Sequence, residues 1–226
     1  MEVFWDRQVK LQFPELKIAF GTVENIVVKP SGNMLDHIEK KILEEARAKY
    51  TLQNLKDEPI IRMYRDFYWL LDIDPTKTRP AGEALIRRVL RGNRVPRILN
   101  VVDAYNLVSI ETRLAFSAYD LDKLNPPLTV RFSRINETFV GMGKEIPQKL
   151  TGKEIILTDQ RQIRSLYPHR DAKNSRITRL TRSILLVVYG VPGIEGKVLE
   201  EGLTKSCELI TAIAGGTAGE IQVSYP

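Results

Sequence analysis

The chain has 226 residues, 43% of them hydrophobic and 27% charged, with one cysteine and two histidines. That balance excludes a disordered tail, a collagen-like fibre, a disulfide-stapled knot and a multi-cysteine metal site, and two imidazoles argue against a histidine-rich metal centre. Thirty-four Lys and Arg against 28 Asp and Glu give a net charge of +6 and a sequence pI near 9.4, which suits a polyanionic partner.

Taken in chain order, the first residues form no basic leader followed by an apolar run, so no signal peptide is expected. Residues 16–29 carry Ile18, Phe20, Val23, Ile26 and Val28 around Gly21 and predict a strand or hairpin. Pro30-Ser31-Gly32-Asn33 is a turn, after which Leu35, Ile38, Ile42 and Ala46 recur at helical spacing. Residues 60–71, rich in aromatic side chains, and 80–91, opening on Pro80 and stopping at Gly92, predict two further helices. Residues 98–111 lean towards helix. From 128 onward the period shortens, and 128–132, 138–143, 154–157 and 183–188 predict strands. A closing helix is expected over 198–213 and a last strand over 221–225. The longest strongly apolar stretch, residues 184–189, is too short for a bilayer, so the expectation is a cytoplasmic protein without a membrane partner. The fold class is α+β, a single domain over 1–226.

The positive charge is clustered. Residues 161–182 hold seven basic side chains (Arg161, Arg164, Arg170, Lys173, Arg176, Arg179, Arg182) against Asp171 alone, and 77–97 hold seven against Glu83 alone. Such clusters mark a nucleic-acid partner, unless carboxylates elsewhere in the sequence fold back over them. Standard catalytic signatures are missing: there is no phosphate loop ending in Lys-Ser/Thr, no dinucleotide glycine fingerprint and no metalloprotease helix. The run from Gly215 to Gly219 follows a helix and reads as a connector. Cys207 falls on the apolar stripe of the last helix and reads as core, and His37 reads as a solvated helix residue. His169 stands in a polar turn, Tyr167-Pro168-His169-Arg170-Asp171, inside the basic segment.

The densest pattern runs from Asn100 to Leu124. Asp103 and Asn106 are followed by Ser117-Ala118-Tyr119-Asp120 and Asp122-Lys123, then by Val130-Arg131, Glu137-Thr138, Gly143 with Glu145, Asp159, and a Ser175-to-Thr181 segment. In order and spacing this resembles the B3/B4 (tRNA-binding, editing) domain of the phenylalanyl-tRNA synthetase beta subunit, and more closely the free-standing proteins built from that domain alone. The match is strongest over roughly 79–190. Residues 1–78 form an N-terminal strand and helical portion, and 191–226 a C-terminal helix and strand.

The resemblance implies a site that hydrolyses tyrosine wrongly attached to phenylalanine tRNA, discriminating by one hydroxyl. It implies that Glu145 accepts that hydroxyl and that Asn106 lines the pocket. Tyr105 stands where the family has a small Thr, and Ser117 where it has a pocket His. With His169 these residues make the expected substrate site. Arg87, Arg88, Arg91, Arg170, Arg176, Arg179 and Arg182 are the expected phosphate contacts, and Tyr64 and Tyr167 candidate stacking platforms. No metal or cofactor is expected. Three readings stay open: a free-standing deacylase of mischarged tRNA, a non-catalytic RNA-binding module, and an amino-acid or small-molecule binding protein. Self-association is also left open.

Overall fold

A computed structural model describes all 226 residues. The elements run β1 (Val3–Trp5), α1 (Arg7–Gln12), β2 (Lys17–Glu24), α2 (Asp36–Lys49), α3 (Pro59–Leu70), α4 (Ala81–Leu90), α5 (Asn100–Thr112), β3 (Ala115–Asp120), β4 (Leu128–Phe132) and β5 (Thr138–Phe139). They continue with β6 (Gln148–Lys149), β7 (Ile155–Thr158), β8 (Ile163–Leu166), β9 (Arg170–Asp171), β10 (Ile184–Gly190), α6 (Gly196–Ala214), β11 (Thr217–Ala218) and β12 (Gln222–Ser224).

Two sheets carry the architecture. One has the order β11-β2-β10-β3 with β12 also on β2, the other β1-β4-β7-β8-β9, and β5 pairs with β6 alone. β10 is the spine of the first sheet, antiparallel to β2 (Ile184↔Val23 to Gly190↔Lys17) and to β3 (Ile184↔Asp120 to Tyr189↔Ala115). All seven of its residues are buried, because α6 packs on β2 and β10 while Tyr189 reaches towards the second sheet. A strand covered on both faces reads as a continuous apolar run, which is why Ile184-Leu185-Leu186-Val187-Val188 shows no alternation.

The helical layer follows from α5. Eight of its residues are buried, Asn100, Asp103 and Ser109 among them, so it is enclosed on more than a single apolar stripe. It packs against α6, α4 and α2. Its first turn is anchored from outside the helix: Asn100 accepts from Lys29 N–H and donates to the Val27 carbonyl (both 3.0 Å), and Asp103 accepts from Ile98 N–H (2.9 Å) and from the Ser31 hydroxyl. At its far end Arg113 takes a left-handed conformation (φ 66°), and Gly82 of α4 lies against the Arg113 carbonyl, where a Cβ would stand 2.7 Å from the oxygen. Only glycine allows α4 to approach that closely.

Two expectations change in detail and one holds. The strand expected over 138–143 pairs only as Thr138–Phe139, with Gly141 bridging singly to Ala172. Tyr64 and Tyr167 are core residues: the Tyr64 hydroxyl donates to the Tyr189 carbonyl (2.5 Å) and that of Tyr167 to Gly190 (2.5 Å), so neither is free to stack on a base. Cys207 is buried as expected, and burial pushes its thiol up to about 12.

Candidate functional site

Where α5, β3, the edge strand β9 and the following segment to Arg179 meet, they enclose a cavity of about 510 Å³. Ile98, Leu99, Val102, Ala118, Met142 and Ile177 supply apolar walls, and Tyr105, Asn106, Tyr119 and Asp171 supply polar groups. That is the size and chemistry of a small-molecule site. Tyr105 faces in without closing it. Neither the Tyr105 hydroxyl nor the Asn106 amide has a partner within the protein, so both are available to a ligand.

The most hydrogen-bonded polar side chain of the lining is Asp171. Its Oδ1 accepts from the Ser117 hydroxyl (2.6 Å) and from the Tyr119 hydroxyl (2.9 Å). Tyr119 in turn meets the Tyr189 hydroxyl at 2.7 Å, and Tyr189 meets that of Ser165 at 2.6 Å. The chain crosses from one sheet to the other. Burial raises the Asp171 carboxyl to about 6, although the two hydroxyl donors pull the other way. The same burial, next to that carboxylate, holds the phenols of Tyr105, Tyr119 and Tyr189 well above their ordinary range, so all three are neutral donors.

A second cleft, about 840 Å³, adjoins the first and shares Ala172, Arg176 and Thr178 with it. Lys123, Arg161, Lys173 and Arg176 line it, against Glu137 as the one acid. Arg161, Arg170, Arg176, Arg179 and Arg182 pair with no carboxylate, so the later basic segment stays largely unneutralised. The earlier one is neutralised in part. Arg87 shares the fully buried Glu83 with Arg65 (2.7 and 3.1 Å), Arg97 is bound to Asp36 and Glu39, and Lys77 lies by Asp74, while Arg79, Arg88, Arg91 and Arg94 form no ion pair. Arg87 is therefore a structural cation, not a free phosphate ligand. Arg164, also counted among the basic residues, is fully buried against Asp159.

The profile of the B3/4 domain matches residues 63–214, two-thirds of the sequence. The chain belongs to the B3/4 domain family. It is 24% identical over 160 residues to the phenylalanine–tRNA ligase beta subunit of Photorhabdus laumondii, covering 60% of this chain and 20% of that one. To the same subunit of Idiomarina loihiensis it is 23% identical over 167 residues, covering 64% and 21%. The chain thus spans about a fifth of the length of these relatives. Its fold matches an N-terminal fragment of the phenylalanyl-tRNA synthetase beta subunit of Pyrococcus horikoshii, with a TM-score of 0.52 at 14% identity over 96% of this chain and 49% of the other.

Within this B3/4 chain, several residues of the recognisable pattern hold the scaffold. Asp103, in the first turn of α5, holds the segment ahead of the helix through Ile98 N–H, and Asp120 accepts from Thr181 and pairs with Lys123 (both 2.8 Å). Arg131 pairs with Glu137 at 2.6 Å, beside the cleft. Asn106 does line the cavity, whereas Ser117 sits behind it, orienting Asp171. Glu145 is elsewhere: its side chain is 84% exposed, and Lys173 pairs with it at 2.6 Å and holds its carboxyl below the ordinary range. His169 is not in the cavity either. Its ring packs edge-on against Tyr68 at 5.9 Å, Nδ1 is buried without a partner, and burial lowers its pKa to about 4, so it is neutral. Asp171, missed as a site residue, had one signal in the sequence: it is the only acid among seven bases.

Proposed function

We propose that this protein acts on charged tRNA, as a free-standing deacylase that removes a wrongly attached amino acid in trans. The observation that carries the reading is the junction of the two cavities: an apolar pocket with a few polar groups opens beside a cleft lined by four cations. An aminoacyl group fits the first. The phosphates of a single-stranded acceptor end fit the second, where they add affinity without reading sequence.

The cavity offers no nucleophile paired with a base: Ser175 and Thr178 place hydroxyls on the lining, but neither is hydrogen-bonded to a carboxylate, imidazole or amine. Cys207 lies on α6 away from the cavity, the Ser117 hydroxyl is committed to Asp171, and His37 and His169 lie outside the lining. Hydrolysis then proceeds by water held in place against the activated ester: the water oxygen bonds to the carbonyl carbon, the ester C–O bond breaks, and the proton passes to the departing ribose oxygen. Positioning supplies most of the acceleration in such a scheme. By its resemblance to synthetase editing domains, the tRNA's own terminal hydroxyl assists. Tyrosine on phenylalanine tRNA is the first substrate to try.

The missing nucleophile–base pair equally favours a second reading, a non-catalytic RNA-binding module. Incubating the purified protein with a panel of charged tRNAs separates the two. Release of one amino acid from one mismatched tRNA supports the deacylase. Tight binding of uncharged tRNA with every ester intact supports the module.

A further inference from the structure

We propose that the cavity recognises its ligand through a cationic amino group, which the free Oδ2 of Asp171 binds. The inference deepens the deacylase reading and rests on it for the identity of that group: the α-ammonium of the aminoacyl ester.

The geometry of the carboxylate carries the argument. Oδ1 is already occupied by two hydroxyl donors, from Ser117 and Tyr119, while Oδ2 accepts from no group in the protein, and Asp171 is a residue of the cavity lining. No Lys or Arg forms an ion pair with it. Its neighbour Arg170 turns its guanidinium to the Met142 carbonyl (3.4 Å), and Arg176 and Arg179 lie on the lining without reaching the carboxylate. A desolvated carboxylate without a counter-ion is unfavourable in a folded protein unless something outside the chain completes the pair. The flanking groups point the same way. Tyr105 and Tyr119 are neutral phenols, Asn106 carries a free carbonyl and amide, and the two cations of the lining, Arg176 and Arg179, form no ion pair with Asp171 that an incoming ammonium would have to break.

A phenolic hydroxyl on the ligand is the competing occupant of Oδ2. Paired probes distinguish the two. Binding of the wild-type chain is measured by calorimetry for the amides of L-alanine, L-leucine, L-methionine, L-phenylalanine and L-tyrosine, each beside the same amide lacking its amino group. The expected result is tighter binding of at least one amino-bearing amide by about tenfold or more, the scale of a lost charge-assisted hydrogen bond. In Asp171→Asn that preference disappears. Equal binding within every pair, binding of the hydroxyphenyl probe regardless of its amino group, or no binding of any amide overturns the proposal. The wild-type comparison decides the matter alone if the variant does not fold.

Charged tRNA and its N-acetylated counterpart, which has no ammonium, separate this inference from the deacylase reading. Equal hydrolysis of both keeps the deacylase and overturns the role of Asp171. Amine-selective binding with no hydrolysis of any ester upholds Asp171 and overturns the deacylase.

Discussion

Ser117 and Asp171 stand 54 residues apart in the sequence and on different sheets, yet their side chains meet at 2.6 Å. The hydroxyl stabilises the ionised carboxylate, so removing it in Ser117→Ala raises the Asp171 pKa further above about 6. The pH at which amino-bearing amides begin to bind should move up by about one unit, the equivalent of one hydrogen bond to a charged group. Calorimetric titrations across pH read the midpoint. An unchanged midpoint would mean that the contact does not tune the carboxylate.

Stability should report the same residue with the opposite preference. The folded-state value of Asp171, about 6, lies above the ordinary 3.8, so keeping it ionised opposes folding above pH 6 and the penalty fades as pH falls towards 4. Asp171→Asn should therefore be more stable than wild type well above pH 6 and equal to it near pH 4. The gain is on the order of 1 to 2 kcal/mol, since partial exposure at the cavity trims the full shift. His169 works the other way: its folded value of about 4 lies below 6.5, so its contribution is lost as pH drops through that window. Comparing the two proteins at each pH cancels it. Thermal melts at both ends of the window make the measurement.

Asp159, in the turn between β7 and β8, should be the most sensitive residue beside the second sheet. Burial alone would raise its carboxyl, but the amides of Asn125, Arg161 and Gln162 and the Arg164 guanidinium hold it below the ordinary range. Asp159→Ala strands a fully buried arginine and should cost about 3 to 5 kcal/mol in chemical denaturation. Adding Arg164→Met should recover part of that loss and not all, because three backbone donors remain unsatisfied. Full recovery would show that the backbone contacts contribute nothing.

RNA affinity should divide along the cleft. Arg161→Glu with Arg176→Glu should weaken binding to uncharged tRNA and flatten its salt dependence by about 0.7 in the log–log slope per lost contact. Arg87→Ala, next to buried Glu83, should lower the melting temperature without changing that slope. Glu145→Ala releases Lys173 into the cleft and should strengthen RNA binding slightly, leaving the preference among amides unchanged. Filter binding at several salt concentrations tests all three variants, and a loss of amide discrimination in Glu145→Ala would return that residue to the pocket.

The long elements were legible because their burial pattern is local. Helices α2, α3, α4 and α6 show apolar spacing that needs no knowledge of their neighbours, and β10 shows itself as an uninterrupted apolar run. What escaped depends on pairing across the chain. β8 contains Arg164 where a strand should be apolar, and its partner Asp159 lies across a turn. β1 is three residues whose parallel partner, β4, begins more than a hundred positions later. The cavity was half legible: Asn106 and Tyr105 came from the family pattern, whereas Asp171 entered only as the lone acid of a basic segment, since its contacts with Ser117 and Tyr119 span more than fifty residues.

The loop carrying Glu145 is tied at its base to Asp171 itself. Met142 N–H donates to the Asp171 carbonyl (2.7 Å), and Lys173 N–H donates to the Val140 carbonyl (3.0 Å). Lip and floor of the pocket are thus fastened by one short ladder and behave as a fixed gauge. In the proposed site the spacing of Met142 and Asp171 would then be set by the sheet edge, and lengthening the loop beyond Gly143 should leave that spacing unchanged.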